Sequence, residues 1–279
     1  MSQPARQPAT GARPTGAATE AAAAHSIQQM FSAIAPTYDR ANHLLSAGID
    51  RLWWRRAART LRPILERPEA VVLDLCCGTG DMTLALDRHR PKTPKTRVPQ
   101  ARRGSIAPSL GIPLETPAPT PAPILAVDFS HPMLSLGARK FARRNILAIE
   151  ADALHLPIAS NSIDLITVAF GFRNLASYPD GLAELYRVLR PSGQIAILEC
   201  NQPTGLTGAL YSLYFKRILP VFGGLISRNP AAYAYLPASV ARFPRPPRMI
   251  ELIVAAGFVS PTWTPYTFGV AGLYRATKP

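Results

Sequence analysis

Five short apolar runs punctuate the middle of this chain: VVLDLCC (71–77), ILAVDF (124–129), NILAIE (145–150), IDLITVAF (163–170) and QIAILEC (194–200). They are rich in β-branched residues and lack the apolar–polar alternation of a half-exposed sheet. Strands covered by helices on both faces read this way, so the runs predict a buried parallel sheet. Between them lie segments of helical character, Asp81 to Arg88, His131 to Arg143 and Tyr178 to Leu189. The last stops at Arg190-Pro191-Ser192-Gly193, which predicts a helix end followed by a turn. Such alternation specifies an α/β, doubly wound, mostly parallel sheet with its ligand at the carboxyl ends of the strands. Two helical stretches, Ser26 to Glu66 and Gly205 to Val240, stand outside the alternation.

Composition changes this picture in one place. Nine of the 29 prolines fall between Pro91 and Pro123, together with Lys92, Lys95, Arg97, Arg102 and Arg103 and the single acid Glu115. No apolar period survives there, and TPAPTPAP reads as polyproline, so residues 90–122 are expected to form a basic, mobile insertion. Residues 1–24 are Ala-rich without an apolar core and are expected to be a disordered tail, leaving 25–279 as one domain. At 279 residues and 47% hydrophobic, the chain is long enough for a sizeable core. The three cysteines form neither a disulfide framework nor a metal-ligand pattern, so no metal is expected and a reducing cytoplasm is the expected location. The uncharged stretch Cys200 to Phe215 is too short and, with Asn201, Gln202 and Thr204, too polar to span a bilayer.

The chemistry concentrates after the first strand, in Asp74-Leu75-Cys76-Cys77-Gly78-Thr79-Gly80-Asp81. An acid at the strand end and glycines at 78 and 80 suit a backbone that turns tightly against a ligand. The pyrophosphate pattern GxGxxG is broken by Thr83, which disfavours a dinucleotide. Asp128, ending the second strand, is placed to accept the hydroxyls of an adenosine ribose, although its spacing from the glycine loop is lengthened by the insertion. Asp152, after the third strand, is a candidate for the adenine amino group, with a turn-stabilising carboxylate as the alternative.

The blocks DLCCGTGD, AVDFSHPML, EADALHLPI, ITVAFGFRNL and LYRVLRPSGQIAILE resemble the S-adenosylmethionine-dependent C-methyltransferases of ubiquinone and menaquinone biosynthesis. So do the opening FSAIAPTYDRANHLLSAGIDRLWWRR and the close PYTFGVAGLYRATKP; the likeness runs from about Ile27 to the end, broken only by the insertion. CCGTGD and ECNQP resemble the menaquinone-only branch. The resemblance implies a class I, Rossmann-like methyltransferase with a seven-stranded sheet, N-terminal helices and a helical lid or substrate segment over 205–240. It implies S-adenosylmethionine held at Thr79, Asp128, Asp152 and Ala153, beside Asp74, Gly78 and Gly80 of the loop. Ala169 stands where family members often carry a serine, which removes one hydrogen bond and leaves only a backbone contact there.

The implied reaction moves a methyl to a ring carbon of a prenylated demethylnaphthoquinol, the last step of menaquinone biosynthesis; a benzoquinol of ubiquinone synthesis is the alternative acceptor. Arg173, a poor base, is assigned to orient the phenolate or a water, and Tyr38 to close over the site. Asp39, Phe172 and Asn174 are assigned to the substrate; His43 is an outside candidate for proton transfer, a surface or packing histidine being the commoner reading. The apolar residues of 205–227, broken by Lys216 and Arg217, suit a prenyl groove, a membrane-surface helix or a homodimer face. A net charge of +14 favours peripheral association with an anionic inner leaflet. The alternative outside the enzyme class is a basic nucleic-acid-binding protein with a methyltransferase-like fold; a nucleic-acid partner is not expected, because the densest basic block lies in the proline-rich segment, away from the aromatics.

Overall fold

The computed structural model describes residues 11–14, 16–92, 121–205, 208 and 230–279. Helices α1 (Glu20–Ile34), α2 (Tyr38–Leu45), α3 (Ile49–Thr60) and α4 (Arg62–Leu65) precede the sheet. Then β1 (Val72–Leu75), α5 (Asp81–Asp87), β2 (Ile124–Asp128), α6 (His131–Phe141), β3 (Ile146–Glu150) and β4 (Ile163–Ala169) alternate. They are followed by α7 (Tyr178–Val188), β5 (Leu189–Cys200), α8 (Pro230–Arg242), α9 (Pro246–Ala255), β6 (Val259–Tyr266) and β7 (Ala271–Thr277). The strands form one sheet in the order β3-β2-β1-β4-β5-β7-β6. Every neighbouring pair is parallel except those made by β7, which runs against both β5 and β6.

Four of the five uninterrupted apolar runs have the expected cause; the fifth, β3, is an edge strand with Leu147 52% exposed. Leu73 and Leu75 of β1 enter one core with Leu182 and Leu185 of α7 and Ile253 of α9. Val72 enters the opposite core with Leu61, Leu86 of α5 and Phe141 of α6. Each such fully buried side chain contributes roughly 1.5–3 kcal/mol relative to exposure. Ser177 caps α7 by accepting from the Asp180 N–H at 3.3 Å, with Pro179 in the first turn.

Two boundaries differ from those expected. Helix α1 starts at Glu20, where the Thr19 side chain accepts from the Ala22 N–H at 3.1 Å. The tail boundary at residue 24 therefore falls inside a helix. Further upstream, the Ala12 N–H reaches the Leu175 carbonyl at 2.8 Å, so the described part of the tail lies on the body. Helix α7 ends next to the expected place, at Val188, but Arg190–Gly193 is an irregularity within β5 rather than a turn before the strand. Leu189 pairs with Ile163 and Gln194 with Leu165, and Ser192 takes φ of 64° between them. Finally, β6 holds Pro261 and Pro265, which an edge strand accepts because one row of its N–H groups has no ladder partner.

The insertion lies outside the described residues except for its two ends. There Arg90, 7% exposed, donates to the carbonyls of Arg67 at 2.9 Å, Pro68 at 3.2 Å and Ala122 at 2.7 Å. The Ala122 N–H adds a bond to the Pro68 carbonyl at 2.9 Å. Most of 205–229 also lies outside the described residues, while α8 supplies the helix expected at the end of that segment. Among the described residues, no helix is long and apolar enough to cross a membrane.

Candidate active site

The turn after β1 is built from left-handed backbone. Cys76, Gly78 and Gly80 have φ of 54°, 55° and 88°, and Gly80 stands at the start of α5. A Cβ on Gly80 would meet the Phe141 ring at 2.3 Å, so α6 packs against this turn only because the residue is glycine. Cys76 has no such freedom and is held in a conformation that costs an L-residue energy. A Cβ at position 171 would lie 2.3 Å from its Cβ, which fixes glycine in the turn after β4.

Two buried carboxylates flank this turn. Asp128, at the end of β2, accepts from the Gly78 N–H at 2.8 Å and from the Ser130 N–H at 2.9 Å. Burial pushes its pKa above the ordinary carboxylate value in spite of those two bonds. Asp74, wholly buried, accepts from the hydroxyls of Thr83 and Thr167, each at 2.6 Å. Burial lifts its pKa from 3.8 to about 6. Both Asp74 oxygens are thus engaged by the protein, and its part is to fix β1, α5 and β4 around the turn.

Two adjoining cavities open at the carboxyl edge of the sheet. The smaller, about 760 Å³, is walled by Gly78, Asp128, Phe129, Met133, Asp152 and Ala153 among others. The larger, about 1750 Å³, is walled by Trp53, Trp54, Met82, Arg173, Leu236 and Val270 among others. Phe31, Tyr38, Cys76, Gly78, Ala169 and Phe170 border both, so the cavities share a wall. The N-terminal helices roof them: the Gln28 side chain donates to the Phe129 carbonyl at 2.7 Å, and the hydroxyls of Ser32 and Ser130 are 3.0 Å apart.

The expected site residues divide between the two cavities, except Gly80 and Phe172, which border neither. Gly78, Asp128, Asp152, Ala153, Ala169 and Asn174 border the smaller cavity, and Tyr38, Asp39, Asp74, Thr79 and Arg173 the larger, with Tyr38, Gly78 and Ala169 on both. Asp152 also accepts from the Leu154 N–H at 2.9 Å, so the turn-stabilising role is present as well. Thr79 donates to the Asp39 carboxylate, which Lys140 reaches at 2.7 Å while also lying 3.2 Å from Asp81. Asn174 accepts from the Tyr235 hydroxyl at 3.1 Å, joining α8 to the site. Phe172 is a correction. It is fully buried, stacked on Tyr178 with ring centres 5.6 Å apart, and borders neither cavity, because its one-turn helix directs it into the core.

Arg173 is held from below by a residue not singled out in the sequence. Glu199, fully buried at the end of β5, accepts from the Arg173 guanidinium at 2.7 Å and from its backbone N–H at 3.1 Å. Burial alone would lower the arginine pKa, but Glu199 holds it above the ordinary value. The guanidinium also donates to the Phe170 carbonyl, and its buried Nε has no partner among the described residues. Burial raises the Tyr38 pKa, so the phenol keeps its proton at neutral pH. Cys76 and Phe170 were likewise not foreseen; both have left-handed backbones, with φ of 54° and 58°. His43 bonds Asp50 at 2.8 Å and packs edge-on to Trp54, in keeping with a packing role.

The sheet order with β7 reversed, the glycine turn after β1 and the acid ending β2 define an S-adenosylmethionine-dependent methyltransferase. The site fits that cofactor: Asp128 retains acceptor capacity beyond its two backbone bonds. A Cβ built on Gly78 meets nothing within 4 Å, so the loop leaves open space beside it. The chain belongs to the ubiE/COQ5 methyltransferase family, whose model matches residues 18–278. It is 42% identical to a demethylmenaquinone methyltransferase of Thermus thermophilus, covering 90% of this chain and 100% of that one. It is 37% identical to the ubiquinone/menaquinone biosynthesis C-methyltransferase UbiE of Geobacter sulfurreducens, covering 90% and 88%. A solved methyltransferase from Thermotoga maritima shares the fold with a TM-score of 0.59 at 16% identity, over 90% of this chain and 99% of that one.

Proposed function

We propose that this enzyme transfers a methyl group from S-adenosylmethionine to a ring carbon of reduced demethylmenaquinone, giving menaquinone. The observation that carries the reading is the shared wall between the cavities. A small cavity bounded by Asp128 and Asp152 meets a larger one lined by Trp53, Trp54, Met82 and Val270, at a boundary made by Tyr38, Ala169 and Phe170. A charged, hydroxyl-rich cofactor suits the first and a bicyclic ring with an apolar tail the second. The name of the Thermus thermophilus relative supports the same acceptor.

S-adenosylmethionine, when bound, supplies an electrophilic methyl on a sulfonium that is already a good leaving group. The chain's task is chiefly positioning, potentially worth ~7–11 kcal/mol of barrier. Asp128 receives the ribose hydroxyls, Asp152 and Ala153 border the adenine, and Gly78, on the shared wall, meets the other end, with Thr79 beside it on the larger cavity holding Asp39. Ala169 offers backbone only. Arg173, tied to Glu199, brings little net charge, so its contribution is hydrogen-bond donation to the quinol oxygen or to the water that takes its proton. Tyr38 closes the boundary, and Asp39 and Asn174 set the walls through Thr79 and Tyr235. The test is transfer of labelled methyl to chemically reduced demethylmenaquinone, with a benzoquinol precursor in parallel. Label in menaquinone alone is expected. Label in both products establishes the second acceptor, which the name of the Geobacter relative supports. Label in neither overturns the reading.

A further inference from the structure

We propose that the outer face of α3, together with the turn at Phe268, is a docking surface for a bilayer bearing anionic headgroups. The inference rests on the prenylated-quinol reading, and it adds the surface through which such a substrate is reached. Arg51, Arg55 and Arg59 recur every four residues and are all exposed, which puts them in one stripe of the helix. Arg56 lies beside them, its guanidinium 4.4 Å from the centre of the Tyr266 ring. None of the four pairs with a carboxylate among the described residues, and the one acid of α3, Asp50, is buried against His43. The face is therefore basic without internal compensation.

Two apolar side chains stand out nearby, one on α3 and one in the turn that α3 holds. Leu52 is 60% exposed, and Phe268 is 87% exposed. Phe268 sits in three consecutive left-handed residues, Thr267, Phe268 and Gly269, with φ of 45°, 55° and 88°. A bulky residue in that conformation is costly, and here no burial of the ring offsets the cost. Trp53 fastens the turn to α3 by donating its indole N–H to the Thr267 hydroxyl at 2.8 Å. Leu52 and Phe268 thus flank a fixed contact, and Trp53 and Thr267 themselves border the larger cavity. Apolar tips among unpaired arginines match a headgroup layer over hydrocarbon. A nucleic acid would call for several free aromatic faces to stack successive bases on, whereas Phe268 stands alone here and Trp53 is half-buried and bonded. Docked this way, the cavity opens toward the phase that dissolves a prenyl tail.

The experiment uses the full chain and sedimentation with phosphatidylcholine vesicles, with and without phosphatidylglycerol. Binding that needs phosphatidylglycerol and weakens with salt is expected. The triple variant Arg51→Gln/Arg55→Gln/Arg59→Gln should bind about 100-fold more weakly, at about fivefold per arginine. Phe268→Ser should lose about tenfold. Circular dichroism checks that the variants fold, and methyl transfer to a soluble short-chain quinol should match the parent while transfer to vesicle-borne quinol falls. Equal vesicle binding by parent and variants, no binding by the parent, or a loss confined to single-stranded RNA binding would overturn the docking surface. Failure of the parent to methylate either quinol overturns the substrate reading instead, whatever the vesicles report.

Discussion

At the carboxyl edge of the sheet, Asp74, Asp128 and Glu199 are buried, and each accepts from at least two donors of the protein. Where the helical roof meets that edge, Asp39, Lys140 and Asp81 are partly exposed and bond chiefly to one another. The edge is fixed by interactions whose removal leaves a charge or hydroxyl stranded in low dielectric. The roof is fixed by ones that water can replace. An enzyme that must admit two substrates gains from that division: a rigid floor that places reacting groups, and a roof that releases at modest cost.

The largest test of the contrast is Glu199→Ala, which strands the Arg173 guanidinium. Denaturant unfolding should show a loss of ~3–5 kcal/mol, whereas an ordinary surface-pair loss would erase the distinction between floor and roof. Next is the pH response of Asp74. Its folded pKa lies above its ordinary one, so the stability tied to its protonated form is complete below pH 3.8 and is lost as pH rises through about 6. The shift corresponds to roughly 3 kcal/mol. Asp74→Asn should flatten the thermal midpoint across that window, and an unchanged slope would remove Asp74 as its source. Asp128→Ala should raise the cofactor Kd by at least about tenfold in titration calorimetry. A Kd equal to the parent's would overturn the ribose role. The smallest effect is expected from Lys140→Ala, which opens the roof contact. Its pair is partly exposed, so unfolding should change by only ~0–1 kcal/mol while KM for S-adenosylmethionine rises a few-fold. A loss as large as that of Glu199→Ala would mean the roof is part of the floor.

Strands β1, β2, β4 and β5 were legible because burial on both faces forces continuous apolar runs, and Asp128 because it ends one of them; β3 carries such a run at an exposed edge. Other features turn on information the sequence carries only weakly. Phe172 adjoins Arg173, yet neighbours in a one-turn helix point different ways, so proximity in a motif did not mean proximity to the cavity. Cys76 and Phe170 adopt positive φ, which an L-residue does not announce. Glu199 did leave a trace: an acid inside QIAILEC must be partnered if that run is buried, and Arg173 is the partner. The Lys140–Asp39 contact joins residues 101 positions apart and follows no periodicity. Strand β6 was masked by Pro261 and Pro265, which suit only the edge position they occupy.

Arg90 has a consequence for how this chain can change in length. From one described end of the insertion, its guanidinium binds the carbonyl of Ala122 at the other end and that of Arg67 ahead of β1, so the separation of those two ends is set before anything between them is specified. Loop-closure entropy grows only logarithmically, and each doubling of what is threaded through the gap adds ~0.6 kcal/mol. The junction is in effect a port: it accepts sequence of almost any length, or a grafted folded module, without a matching change in the catalytic body.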